Sequence, residues 1–89
     1  MARVVVYTTP SCPYCVRAKR LLQARGIPYD EIDVGYDDEL RADLVARTGR
    51  QTVPQIFIDD VSIGGFEELA ELDAVQGLAH LVPEADGTA

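Results

Sequence analysis

The chain has no lysine or arginine beyond Arg50. Residues 51–89 carry 0 basic and 8 acidic side chains, against 8 and 7 in residues 1–50, so the halves sum to -8 and +1 within a net charge of -7. A surface this poor in cations argues against nucleic acid as a partner, because phosphate binding needs a basic face. An anionic substrate is expected to meet the first half. No segment approaches the roughly 20 apolar residues of a membrane span, and Met1 to Tyr7 is too short for the core of an export signal. The expected address is therefore the cytoplasm, with no membrane partner. Cysteine is scarce too, with only Cys12 and Cys15 present. A zinc site needs four ligands, and beyond this pair the chain offers only the distant His80, which reads as a surface or packing residue; no metal is expected. The acidic run Asp37-Asp38-Glu39 lacks the fuller oxygen set that calcium requires and reads as a solvated helix start. Repeats, low-complexity tracts and linkers are missing as well. The 89 residues thus read as one domain, 1–89, with residues 83–89 a flexible polar tail. A chain of this length buries only roughly 60% of its unfolded surface, so its core is small.

What is present centres on Cys12-Pro13-Tyr14-Cys15, at the point where the apolar run Val4 to Tyr7 gives way to an amphipathic helical pattern. A cysteine at a helix N-terminus faces unpaired backbone N–H groups and the positive end of the helix dipole, a setting that favours a thiolate. Cys12 is therefore the candidate nucleophile. Pro13 suits the first helical position, where its missing N–H has no partner to lose. Cys15 lies one turn further on the same face, so the pair can close a disulfide and open it again. A structural disulfide is disfavoured in a reducing compartment, and two inert core cysteines need no helix corner. The pair reads as a dithiol-disulfide switch.

The rest of the chain supplies a frame. Arg3 to Tyr7 is a β-branched run expected to be buried on both faces. A first helix spans about Pro13 to Arg25, with Cys15, Ala18, Leu21 and Leu22 inward and Arg17, Lys19 and Arg20 outward; Gly26 and Pro28 stop it. Tyr29 to Val34 reads as a second strand with Tyr29 and Ile32 in the core; Gly35 to Asp38 supply a turn and an N-cap, and Leu40, Leu44 and Val45 mark a second helix ending near Thr48 and Gly49. Gln55 to Ile58 and Val61 to Ile63 form a hairpin through Asp59-Asp60. A third helix carries Phe66, Leu69, Ala70 and Leu72 to Gln76, and a last turn around Leu78 to Leu81 brings Leu81 to the core. The order β-α-β-α-β-β-α specifies an α/β fold with a four-stranded mixed sheet and helices on both faces.

Two further motifs adjoin the cysteines in this frame. Thr52-Val53-Pro54 opens the third strand, where proline cannot donate to a ladder. A cis Val53-Pro54 bond there would leave the Val53 backbone free to pair with an extended peptide, whereas a trans loop proline is the commoner case. Gly64-Gly65-Phe66-Glu67 opens the third helix, where paired glycines let a ligand approach first-turn N–H groups that can hold a carboxylate. Ordinary acidic residues favouring the helix dipole explain the same motif.

Together, Cys-Pro-Tyr-Cys after the first strand, Thr-Val-Pro before the third and Gly-Gly at the third helix resemble a glutaredoxin of the dithiol type, from Val4 to about Val82. The phrase Thr52-Val53-Pro54-Gln55-Ile56-Phe57-Ile58 is similar to the small bacterial members. The resemblance implies a thioredoxin-like fold and a glutathione-dependent thiol-disulfide oxidoreductase. It implies further that glutathione is the co-substrate, that no cofactor is tightly bound, and that a monomer acts on disulfide-containing or glutathionylated proteins. It implies that Cys12 attacks, that Cys15 resolves protein mixed disulfides, and that Tyr14 borders the groove. Thr52 and Val53 would meet the cysteinyl part of glutathione beside a cis Pro54. Gly65 and the amides of Phe66 and Glu67 would take the γ-glutamyl end, with the Glu67 side chain on its amino group. Arg47, Arg50 or Gln51 would meet the glycine carboxylate at the other end. The chain departs from the family at Thr9, where lysine is common, and at Glu67, where aspartate is usual. A thioredoxin-like donor re-reduced by a flavoprotein or another small thiol, and an iron-sulfur carrier, are the alternatives.

Overall fold

The computed structural model describes residues 3–81 and contains β1 (Val4–Thr8), α1 (Pro13–Ala24), β2 (Asp30–Asp33), α2 (Asp38–Thr48), β3 (Gln55–Ile58), β4 (Val61–Gly64) and α3 (Phe66–Val75), followed by a 3₁₀ turn at Ala79–Leu81. The strands form one sheet in the order β2-β1-β3-β4. β1 pairs parallel with β2 across the α1 crossover and antiparallel with β3, and β3 pairs antiparallel with β4. The expected mixed sheet and element order are those observed.

β1 sits centrally because its side chains are apolar on both faces. Val4 and Val6 join Ala18, Leu22, Ile27, Ile56, Leu69, Leu78 and Leu81 in one core, under α1 and α3. Val5 and Tyr7 pack on the opposite face against Val34, Leu44 and Phe57, under α2. β3 alternates in the same way, with Ile56 on the first face and Phe57 on the second. Leu81 is buried, as the last-turn reading expects.

The strand limits differ at β2. The expected Tyr29 to Val34 shortens to Asp30–Asp33, whose side chains are largely exposed, as befits an edge strand. Val34 leaves the ladder yet stays buried, its N–H donating to the Thr8 carbonyl at 2.8 Å. Ile27, between the helix stop and Pro28, is a core residue that no periodicity marks. The polar tail at 83–89 and the His80 side chain lie outside the described residues.

Local signals explain the helix limits. The Asp37 carboxylate caps α2 by accepting the Leu40 N–H at 3.0 Å, and Gly49 at φ 73° closes it. Asp59 and Asp60 both take positive φ, 52° and 68°, the two-residue turn that matches strand twist. α1 and α3 are further joined by a paired contact of Arg25 with Asp73, at 2.9 and 2.8 Å. This fixes the helix that carries the cysteines relative to the helix that opens with Gly65.

Candidate active site

The turn after β1 ends at Ser11, whose φ of 60° turns the chain into α1. Cys12 then occupies the N-cap with extended backbone, and Pro13 fills the first helical position. The Cys12 sulfur accepts the Cys15 N–H at 3.2 Å, so it takes the place of a capping oxygen. The Cys12 thiol reaches the Val53 carbonyl at 3.6 Å. Cys12 is partly exposed, Cys15 is 2% exposed, and both thiols are free. Burial pushes the Cys15 thiol up to about 12, helped by its hydrogen bond and charge interaction with Cys12; the Thr9 backbone and Lys19 act in the opposite direction. The two sulfurs therefore differ in kind: one is accessible at a helix start, and one is held protonated beneath it.

The Val53-Pro54 bond is cis. Among the described residues the Val53 N–H has no hydrogen-bond acceptor, so it is available to an incoming backbone. Gln55, fully buried, donates its side-chain amide to the Thr52 carbonyl at 2.9 Å and holds the loop in shape. α3 begins against this loop. A Cβ at Gly65 would stand 3.1 Å from the Pro54 carbonyl oxygen, so a larger residue there would push the helix start away from this loop by a few tenths of an ångström. The first-turn N–H groups of Phe66 and Glu67 lack intrahelical partners and form the positive end of the α3 dipole.

Between these segments lies a groove of about 290 Å³, lined by Tyr14, Arg50, Thr52, Val53, Pro54, Gly65, Phe66, Glu67 and Glu68. Tyr14 is half exposed, with its ring 6.3 Å from that of Phe66, and the Arg17 guanidinium lies 5.2 Å from its centroid. Of the residues expected from the sequence, Tyr14, Arg50, Thr52, Val53, Pro54, Gly65, Phe66 and Glu67 come together here beside Cys12.

Arg47 and Gln51 do not line the groove. Arg47 lies over the second core, donating to the Tyr7 hydroxyl at 3.1 Å with its guanidinium 4.4 Å from the Phe57 centroid. Gln51 is exposed outside the lining. Arg50 does line it, but at the α3 end on Glu68 rather than at the opposite end, because the helix-opening carboxylate attracts it. Glu68 itself was not among the expected residues, although its place three residues after Gly65 is that of a side chain reaching back to a helix cap. It accepts the Gly65 N–H at 2.7 Å. Together with Arg50, that contact holds the Glu68 carboxyl below the usual carboxylate range.

A family model described as Glutaredoxin matches residues 4–63. Glutaredoxin 3 of Escherichia coli strain K12 is 46% identical over 82 residues, spanning 92% of this chain and 99% of its own. A glutaredoxin of Pseudomonas aeruginosa is 48% identical over 82 residues, spanning 92% and 98%. Among solved structures, that of a Brucella melitensis glutaredoxin superposes with a TM-score of 0.81 at 44% identity, over 98% of this chain and 95% of the other. A buckwheat glutaredoxin-glutathione complex superposes with a TM-score of 0.84 at 31% identity, over 99% and 83%.

Proposed function

The chain belongs to the glutaredoxin family and is a glutathione-dependent thiol-disulfide oxidoreductase of thioredoxin-like fold, and from that premise we propose how its own residues divide the work. Cys12 is the nucleophile. As thiolate it attacks a sulfur of a glutathione mixed disulfide and forms a bond to the glutathione sulfur. The old S–S bond breaks, and the substrate sulfur leaves as a thiolate that takes up a proton from water. A second glutathione then attacks the glutathione sulfur on Cys12, giving oxidised glutathione and restoring the thiolate. With a protein disulfide, Cys12 bonds to one substrate sulfur as the substrate S–S bond breaks, and the other sulfur leaves as a thiolate that takes up a proton. The Cys15 sulfur then attacks Cys12, closes the Cys12–Cys15 disulfide and frees the sulfur bound to Cys12, and two glutathiones reduce that disulfide to give oxidised glutathione.

The observation that carries this reading is the Cys12 sulfur at the α1 cap, bonded to the Cys15 N–H and within 3.6 Å of the Val53 carbonyl on the groove's cis-proline loop. In this reading the extended tripeptide pairs with the Val53 backbone. Its γ-glutamyl carboxylate meets the Phe66 and Glu67 amides, and its amino group meets the Glu67 side chain. Tyr14 and Phe66 form the apolar wall. We further infer that the protein works as a single-domain monomer in the cytoplasm on glutathionylated and disulfide-containing proteins. Among the described residues, no helix is long and apolar enough to cross a membrane.

The test is turnover of a glutathione mixed disulfide coupled to NADPH and glutathione reductase. Cys12→Ser is expected to be inactive on every substrate. Cys15→Ser is expected to keep turning over the mixed disulfide while losing most activity on a protein disulfide. Activity in Cys12→Ser, or loss of both activities in Cys15→Ser, overturns the assigned roles.

A further inference from the structure

α2 and α3 each open with two carboxylates, Asp38 with Glu39 and Glu67 with Glu68, where the helix dipole favours them. α1 has none, in its first turn or further along. In a chain of net charge -7 this helix carries only cations, Arg17, Lys19 and Arg20. Lys19 is taken up by Glu31 at 3.0 Å. Arg17 and Arg20 are exposed and enter no ion pair among the described residues. Their spacing on the helix sets them side by side on one face, where like charges repel. Neither packing nor capping accounts for the pair.

The patch adjoins the reacting sulfur through Tyr14, which follows Cys12 in the active-site motif. The Arg17 guanidinium lies 5.2 Å from the Tyr14 centroid, and the Tyr14 ring lies 6.3 Å from that of Phe66. Tyr14 and Phe66 line the groove and Arg17 does not, so the tyrosine is the border between the groove and the arginine face. A guanidinium laid against a ring keeps the N–H groups at its edge free, and that edge fits a carboxylate. The chain's own acids do not cover it. Glu67 and Glu68 belong to the α3 side of the groove, and the Asp59-Asp60 turn adjoins Arg3, at the end of β1 away from Cys12. Exposed charges more than roughly 10 Å apart are largely screened at 0.1 M salt, so a substrate on this side of Cys12 meets the arginines rather than the net charge.

We propose that the Arg17–Arg20 face of α1 docks the protein half of a glutathione mixed disulfide and selects cysteines flanked by Asp or Glu. This rests on the glutathione reading above and deepens it: the groove takes the tripeptide, which is the same in every such substrate, and the α1 face meets the part that differs. A carboxylate beside the substrate cysteine reaches the Arg17 edge as the sulfurs approach, before any bond changes. Recognition of this kind acts on encounter and KM rather than on kcat.

The test uses glutathionylated peptides that are identical except that Glu, Gln or Lys flanks the cysteine, with turnover followed through NADPH and glutathione reductase. At about 0.1 M salt, kcat/KM of the wild type is expected to be about fivefold higher for the Glu peptide than for the Lys peptide, with Gln between and the difference in KM. With Arg17→Gln and Arg20→Gln combined, the three peptides are expected to converge. With Arg17→Glu and Arg20→Glu combined, the order is expected to invert, which a misfolded protein does not do. A wild type that does not rank the peptides, or a neutral variant that keeps the wild-type ranking, overturns the proposal. So does an equal loss on all three peptides in the neutral variant, because the arginines would then act on the Cys12 thiol and not on the substrate. Failure of the glutathione reading itself looks different, since the wild type would then turn over none of the peptides.

Discussion

At the scale of single residues, the chemistry depends on an asymmetry between two cysteines one helical turn apart. Cys15 is held protonated chiefly by burial, and its hydrogen bond and charge interaction with Cys12 add to the effect. Once Cys12 is consumed in a mixed disulfide its charge is gone, so the Cys15 thiol becomes easier to ionise at the step where it must attack. The same shift predicts a stability profile. The thiol rises from an ordinary 9.0 to about 12 on folding, so the stabilising difference is fully present below pH 9 and is lost as pH climbs toward 12. Denaturation of the reduced protein at pH 8 and pH 10.5 is expected to show wild type losing about 2 kcal/mol more than Cys15→Ala between the two. A parallel loss in both proteins would mean that Cys15 ionises as freely folded as unfolded. Residue identity made the cysteine pair legible in the sequence, because a helix corner, a proline and two thiols at this spacing have few other uses. It did not reveal where arginines point. Arg47 and Arg50 are three apart on the way out of one helix, yet one covers Phe57 and the other binds Glu68. Which of these an arginine reaches depends on partners distant in sequence.

At the scale of elements, turn chemistry was the most readable signal and burial the least. Gly26, Gly49 and Asp59-Asp60 punctuate the chain where the sequence places them, each with the positive φ its position demands. Tyr29, Ile32 and Val34 read as one apolar run, yet only Asp30–Asp33 pairs with β1. Val34 and Ile27 are buried through loops that pack back onto the sheet, a tertiary effect without a period. Two substitutions separate local from tertiary contributions. At Gly49 a Cβ would meet nothing within 4 Å, so Gly49→Ala carries only the left-handed backbone cost and is expected to destabilise by about 1 kcal/mol. Leu69 is fully buried in α3, and Leu69→Ala is expected to cost about 2–5 kcal/mol through lost transfer energy and the cavity left behind. Urea denaturation of both variants checks the ranking. If Gly49→Ala proved the worse, α2 capping would outweigh the α3 core in holding the fold together.

At the scale of the whole molecule, the sheet divides unequal cores. Among the described residues, one face carries nine buried residues beneath α1 and α3, and the other three, with Leu44 the one buried side chain of α2. α1 and the start of α3 attach to the larger core, whereas Val53 in the loop before β3 packs against the smaller one. α2 holds the smaller one, aided by the Asp37 cap and by Arg47 lying over Tyr7 and Phe57. Opening free energies follow the apolar area each unit keeps from water, so α2 should come away before the rest. Native-state hydrogen exchange is expected to show α2 amides exchanging through an opening of lower free energy than those of α1, α3, β1 and β3. Equal protection throughout would mean that the two faces fold as one unit. The order matters for the chemistry because Arg50 follows α2 directly while Glu68 belongs to α3. Their contact, with Val53 packed on the smaller core, thus links the less stable face to the groove, and loosening α2 releases Arg50 and the Val53 side chain while leaving Cys12 and Cys15 on α1 in place.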